Sequence, residues 1–136
     1  MKFYIASSMN NKAEVREVMS ILIALGHQIS HDWTDHEVDR QQSEQEQRTF
    51  LERCGFDDYE GVLKADAVIL VNHAECHDSM AEFGMAVGAN KPVCVYHPSR
   101  RFSVFFHLCS QAHDLPTLLS IIRSYENGVV YETRRT

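Results

Sequence analysis

The sequence predicts an α/β fold, a parallel sheet of about five strands with helices on both faces. Three observations predict it. Ala67–Val71 (Ala-Val-Ile-Leu-Val) is a continuous, β-branched apolar run, the mark of a strand covered on both sides. Short apolar runs alternate along the chain with segments whose apolar residues recur at helical spacing. The 136 residues suit one domain over 1–136 and are too few for two. Strand–helix alternation of this kind implies parallel strands joined by right-handed crossovers.

The elements follow in order. Lys2–Ala6 is a short apolar run and reads as the first strand. Ser7-Ser8-Met9-Asn10-Asn11 is a polar loop rich in cap formers. Val15, Val18, Met19, Leu22 and Leu25 then mark a helix that Gly26 closes. Residues 28–33 read as a second strand ending at Trp33, and 34–47 as an exposed polar excursion. A helix over about 43–64 carries the stripe Leu51, Cys54, Asp58 and Val62. After Ala67–Val71, a polar loop over 72–78 leads to a small-residue helix over 79–89, and Lys91-Pro92 to the strand Val93–Tyr96. Residues 97–101 are a basic loop. The segment 102–109 is ambiguous between a short helix and an edge strand. Asp114 and the early Pro116 open a last helix to about Glu126. In a Rossmann-like or flavodoxin-like sheet of this sort, ligands sit beyond the C-terminal strand ends, where strand order reverses. That directs attention to the loops after Ala6, Trp33, Val71 and Tyr96.

Composition narrows the partners. The formal net charge is −6, and the Lys and Arg residues form no long block. Nucleic-acid affinity comes from clustered cations, so no nucleic-acid partner is expected. No apolar run is long enough to span a bilayer and the N-terminus has no signal-peptide pattern, so no membrane partner is expected. Four irregularly spaced cysteines (Cys54, Cys76, Cys94, Cys109) fit free thiols and a cytoplasmic location. No Gly-rich phosphate loop is present, which argues against a nucleoside triphosphatase or a dinucleotide-dependent dehydrogenase.

Several residues invite a chemical reading, each with a plainer alternative. Asp58 falls on the apolar stripe of its helix. Burial would raise its pKa and suit it to acid–base work; a slightly rotated helix would leave it solvated. Ser79-Met80-Ala81-Glu82 fits the capping box S-x-x-E, yet follows a buried strand and so puts Glu82 at the sheet rim. An ionised carboxylate in a pocket there can attack a sugar carbon and later leave. Tyr4 is either a core tyrosine or a hydroxyl that orients a carboxylate. Trp33 packs in the core or stacks on a base. Ser7 and Ser8 cap a helix or bind an anion. The stretch His73-Ala74-Glu75-Cys76-His77-Asp78 offers metal-ligand types, but no second cluster at defined spacing accompanies it, so no metal and no cofactor is expected.

Together, Tyr4-Ile5-Ala6-Ser7-Ser8, Asp58 ahead of Ala65-Asp66, Ser79-Met80-Ala81-Glu82-Phe83-Gly84-Met85-Ala86 and Asn90-Lys91-Pro92-Val93 resemble the nucleoside 2-deoxyribosyltransferase superfamily. Its relatives include the deoxynucleoside 5′-monophosphate N-glycosidases. The match covers about residues 1–98. The resemblance implies Glu82 as nucleophile, Asp58 as the carboxyl that handles the base proton, and Tyr4 as the group that orients the nucleophile. It implies Ser7 and Ser8 near a 5′-phosphate and Ser79 as a hydroxyl of the substrate pocket. Where family members carry Asp or Ser against the sugar, this chain has Cys76, with Asp78 close by. The implied function is cleavage or transfer at the N-glycosidic bond of a nucleoside or nucleotide. Alternatives are a hydrolase of a related ligand such as NAD, or a non-catalytic nucleotide sensor. The resemblance also implies a homo-dimer or larger homo-oligomer, with the tail 129–136 or the segment near Ser103 as candidates for completing a neighbour's site.

Overall fold

A computed structural model of the chain describes residues 1–71, 76–96 and 103–129. The metal-ligand types at His73 and Glu75, the basic loop 97–101 and most of the tail 129–136 lie outside the described residues. Five parallel strands form one sheet: β1 (Lys2–Ala6), β2 (Gln28–Ile29), β3 (Ala67–Val71), β4 (Val93–Tyr96) and β5 (Ser110–Ala112). Among the described residues, three α-helices connect successive strands, α1 (Lys12–Ala24), α2 (Glu44–Lys64) and α3 (His77–Gly88), and α4 (Leu115–Glu126) follows β5. The spatial order β2-β1-β3-β4-β5 is the flavodoxin-like one. Its reversal lies between β1 and β3, paired from Phe3↔Ala67 to Ala6↔Leu70.

Alternation along β1 sorts the two faces of the sheet. Phe3 points to the α1/α4 side, with its ring edge-on to His27, whose Nε2 lies 2.9 Å from Glu126 Oε1 at the end of α4. Tyr4 points to the opposite side, toward α2 and α3. Helices therefore cover both faces, and β3 is buried along its whole length. The sequence supports these elements locally. Gly26 adopts φ +89° just past α1, a left-handed conformation that a side chain resists. Asp114 caps α4 by accepting from Thr117 N at 2.8 Å.

Several boundaries differ from expectation. β2 ends at Ile29, not Trp33, because the chain turns inward there and Trp33 Nε1 donates to Ile5 O at 2.6 Å. Leu25 and Leu51 are about half exposed and do not belong to the buried stripes of their helices. The segment after Ser103 forms a 3-10 turn (Val104–Leu108), and the edge strand follows it as β5. The third helix starts at His77 with Cys76 as N-cap, two residues before the expected Ser79. That shift decides the role of Glu82.

Candidate active site

The site is assembled where α2 and α3 lean over the C-terminal half of β1. Close approach comes from Gly61, buried within α2. A Cβ there would lie 2.7 Å from His31 Cβ and 2.9 Å from Tyr4 Cε2, so only glycine admits this packing. One turn earlier on the same face, Asp58 is brought beside the Tyr4 ring.

Glu82 arrives from the other side. Because α3 begins at His77, Ser79 lies inside the helix and its hydroxyl donates to Cys76 O at 3.1 Å. The S-x-x-E box at 79–82 therefore does not form. The working capping box is at the head of α2: Glu46 N donates to Ser43 Oγ and Ser43 N donates to Glu46 Oε2. Released from capping, Glu82 turns inward, is 8 % exposed, and accepts the Tyr4 hydroxyl on Oε1 at 2.8 Å. Asp58 stands close enough to the same hydroxyl for its charge to act on it. Residues 4, 58 and 82 thus gather around one phenol.

The electrostatics follow from burial. Desolvation pushes the Glu82 carboxyl up to about 8, with the charges of Asp58 and Asp78 adding to the rise and the Tyr4 bond opposing it. Asp58 is also raised, again chiefly by desolvation, against the pull of His36, His31 and Tyr4. Burial beside two acids lifts the Tyr4 hydroxyl as well, so it stays a proton donor. Two raised carboxyl groups this close titrate as a pair, because a charge on one disfavours a charge on the other. A pair of this kind can present one neutral acid beside one carboxylate.

A cleft of about 850 Å³ opens above them. Its walls include Ser7, Trp33, Asp58, Cys76, Asp78 and Glu82, as well as Lys12 and Arg40. The other expected residues divide. Ser7 is buried and donates to Val71 O at 2.7 Å, tying β1 to β3 at the cleft floor. Ser8 accepts from Asn10 N as the cap of a short 3-10 turn and does not line the cleft. Ser79 is buried against its own helix and does not line it either. Trp33 is core, 5 % exposed, with part of its surface on the cleft wall.

Sequence reasoning missed His31, His36 and Lys12. His31 Nε2 lies 3.4 Å and His36 Nδ1 3.9 Å from Asp58 Oδ1. Lys12 Nζ reaches Glu37 Oε1 at 2.9 Å on the cleft rim. Their only signal was position, within or just after the loops following β1 and β2. The histidines fall in an aperiodic polar stretch, where spacing carries no information.

No protein-family model and no curated protein matches the sequence. Solved structures do share its fold. One is a CMP N-glycosidase, BcmB, from Clostridium botulinum: TM-score 0.60, 13 % identity, over 92 % of this chain and 100 % of that one. Another is a 2-deoxyribosyltransferase from Bacillus psychrosaccharolyticus: TM-score 0.66, 18 % identity, over 97 % of this chain and 93 % of that one.

Proposed function

We propose that this chain is an enzyme that cleaves or transfers at the N-glycosidic bond of a nucleoside or nucleoside 5′-monophosphate. The observation that carries the reading is the buried Tyr4–Glu82 hydrogen bond of 2.8 Å, with Asp58 beside it on the wall of a cleft of nucleotide size. The fold shared with a CMP N-glycosidase and a 2-deoxyribosyltransferase supports it.

Burial favours the proton on Glu82; in this reading the reactive state is the one in which that proton lies on Asp58 instead and Glu82 is ionised. Tyr4 holds Glu82 through Oε1, which leaves Oε2 to attack the anomeric carbon. A C–O ester bond forms as the C–N bond to the base breaks. The electron pair of that bond goes to the base, and Asp58 supplies the proton that neutralises it. Positive charge that develops on the sugar is stabilised by the Glu82 carboxylate. Asp58, now ionised, then takes a proton from water, or from the nitrogen of a second base, as that nucleophile displaces Glu82. Water yields a free sugar; a base yields a new nucleoside. Lys12 and Arg40 on the cleft wall favour a substrate carrying phosphate.

An exposed apolar face on α2 supports assembly. Phe56, Tyr59 and Leu63 form an exposed stripe on α2 at 60 %, 45 % and 41 % exposure, and Tyr59 also borders the cleft. A second copy seated on this stripe would narrow the cleft mouth and exclude water. Light scattering is expected to give a dimer or larger, and Phe56→Glu a monomer; a monomeric wild type overturns the assembly.

The deciding experiment incubates the protein with deoxynucleosides, ribonucleosides, their monophosphates and NAD, with and without an added base, and follows free base by chromatography. Base release that falls at least 10³-fold in Glu82→Ala is expected. Release that survives the substitution removes Glu82 as nucleophile. Saturable binding with no release makes the protein a sensor.

A further inference from the structure

We propose that His31, His36 and Asp58 form a site for one transition-metal dication of the zinc class, set in the cleft wall beside the acid pair. One ligand atom from each lies within 4.8 Å of the others. His31 Nε2 is 3.2 Å from His36 Nε2 and 3.4 Å from Asp58 Oδ1. Donors bound at the usual zinc distances sit about 3.3 Å apart along the edges of a tetrahedron.

Hydrogen bonding alone serves this cluster poorly. Two ring nitrogens that face each other share one hydrogen between them, and it cannot also serve the carboxylate. Among the described residues, the buried Asp58 Oδ1 finds no hydrogen-bond partner. A dication accepts a lone pair from all three atoms and removes that deficit.

The donors stand on held segments. His31 follows Ser30, whose amide donates to Phe3 O at 2.8 Å, and its Cβ packs at Gly61. His36 N donates to Trp33 O at 2.9 Å, and its ring stands edge-on to Phe50. Asp58 is carried by α2. Each of the three side chains is 20–24 % exposed, and His36 and Asp58 line the cleft. The fourth coordination position therefore opens toward the cleft, for water or a ligand atom. Two imidazoles and one carboxylate suit zinc, cobalt, nickel or copper, and not magnesium or calcium.

Occupation has a consequence that rests on the function proposed above. A carboxylate oxygen bound to a dication is not available to carry the proton for the leaving base. Metal-loaded protein is then the inactive form, and zinc acts as an inhibitor.

The test titrates metal-free, full-length protein with Co²⁺, followed by its visible d–d absorption, and with Zn²⁺ by calorimetry. One equivalent bound with a Kd of micromolar or tighter is expected, with the absorption of a four-coordinate site. His36→Gln and His31→Ala are each expected to weaken binding at least 100-fold, with circular dichroism reporting folding. Ile122→Ala, in α4 and remote from the donor set, keeps the wild-type Kd. No saturable binding at one equivalent overturns the site, as does binding that survives in the His31→Ala, His36→Gln double variant. Should His31→Ala not fold, His36→Gln alone decides. None of these readouts uses base release, so the metal site and the glycosidic reaction stand or fall separately. Where base is released, zinc is expected to stop it in the wild type and to do so far less in His36→Gln.

Discussion

The two sides of the sheet do different work. Every residue lining the described cleft lies between Ser7 and Met85: on α2, on α3 and its N-cap, at the first residue of α1, or in the segments that follow β1 and β2. Among the described residues, the β4–β5–α4 side contributes none of them. Its last helix buries Leu118, Ile121, Ile122 and Tyr125, a regular i, i+3, i+4, i+7 stripe with no acid in it. On the α2 side the corresponding stripe is interrupted: Cys54, Asp58, Gly61 and Val62 stand together, with a carboxyl where an apolar side chain would pack and a glycine where no side chain fits. The difference shows where stability has been given up. A carboxyl held among apolar neighbours costs free energy, and here two of them, Asp58 and Glu82, come together at one corner of the cleft.

That contrast can be broken by substitution. The largest effect belongs to Glu82→Ala, the roughly 10³-fold or greater loss of base release described above, with the fold intact. On the far side, Ile122→Ala is expected to cost about 2–4 kcal/mol by chemical denaturation, with kcat/KM per folded molecule unchanged. A large drop in kcat/KM for that variant would mean that the two sides are coupled.

The pH dependence sharpens the comparison, because it belongs to the acid side alone. Reaction needs one proton on the pair, so the rate profile is bell-shaped. It falls below a limb lying above the ordinary aspartate value, as both acids become protonated. It falls again near pH 8, as the shared proton leaves. Stability carries the opposite mark. The Glu82 carboxyl titrates higher in the fold, about 8, than its ordinary 4.5. Its contribution is therefore fully present below pH 4.5 and is lost as pH rises through 8. Glu82→Gln, which cannot ionise, should gain about 1–3 kcal/mol over the wild type across that interval and level off above it, as read by denaturant midpoints. A flat difference would mean that Glu82 is solvated.

The smallest effect concerns the cleft rim. Lys12→Ala is expected to raise KM for a monophosphate roughly tenfold, about 1.4 kcal/mol, and to leave the parent nucleoside unaffected. Equal KM values for both substrates in both proteins would place the phosphate elsewhere.

Much of the scaffold was legible because its signals are local. The continuous run Ala67–Val71, the turn at Gly26 and the cap at Asp114 depend on residues within a few positions of one another. The short β2 and the late β5 were not legible in this way. Trp33 leaves the strand register to reach Ile5 O from 28 residues away, and Ser110–Ala112 is a strand only because β4 lies beside it. The candidate site divides along the same line. The resemblance drawn from Tyr4, Asp58 and Glu82 selected residues that the fold brings together, whereas Ser8 and Ser79 turned to their own backbones.

By itself, then, the chain's order of residues determined an alternating α/β scaffold and the presence of acids at its rim, since propensity, capping and burial patterns act over one or two turns. Tertiary structure alone decided that Glu82 faces Tyr4 and not its own helix cap, and that His31 and His36 face Asp58. The first depends on where β3 releases the chain into α3, and the second on how closely Gly61 lets α2 approach β1. Both are distances between segments far apart in sequence, which no local preference encodes.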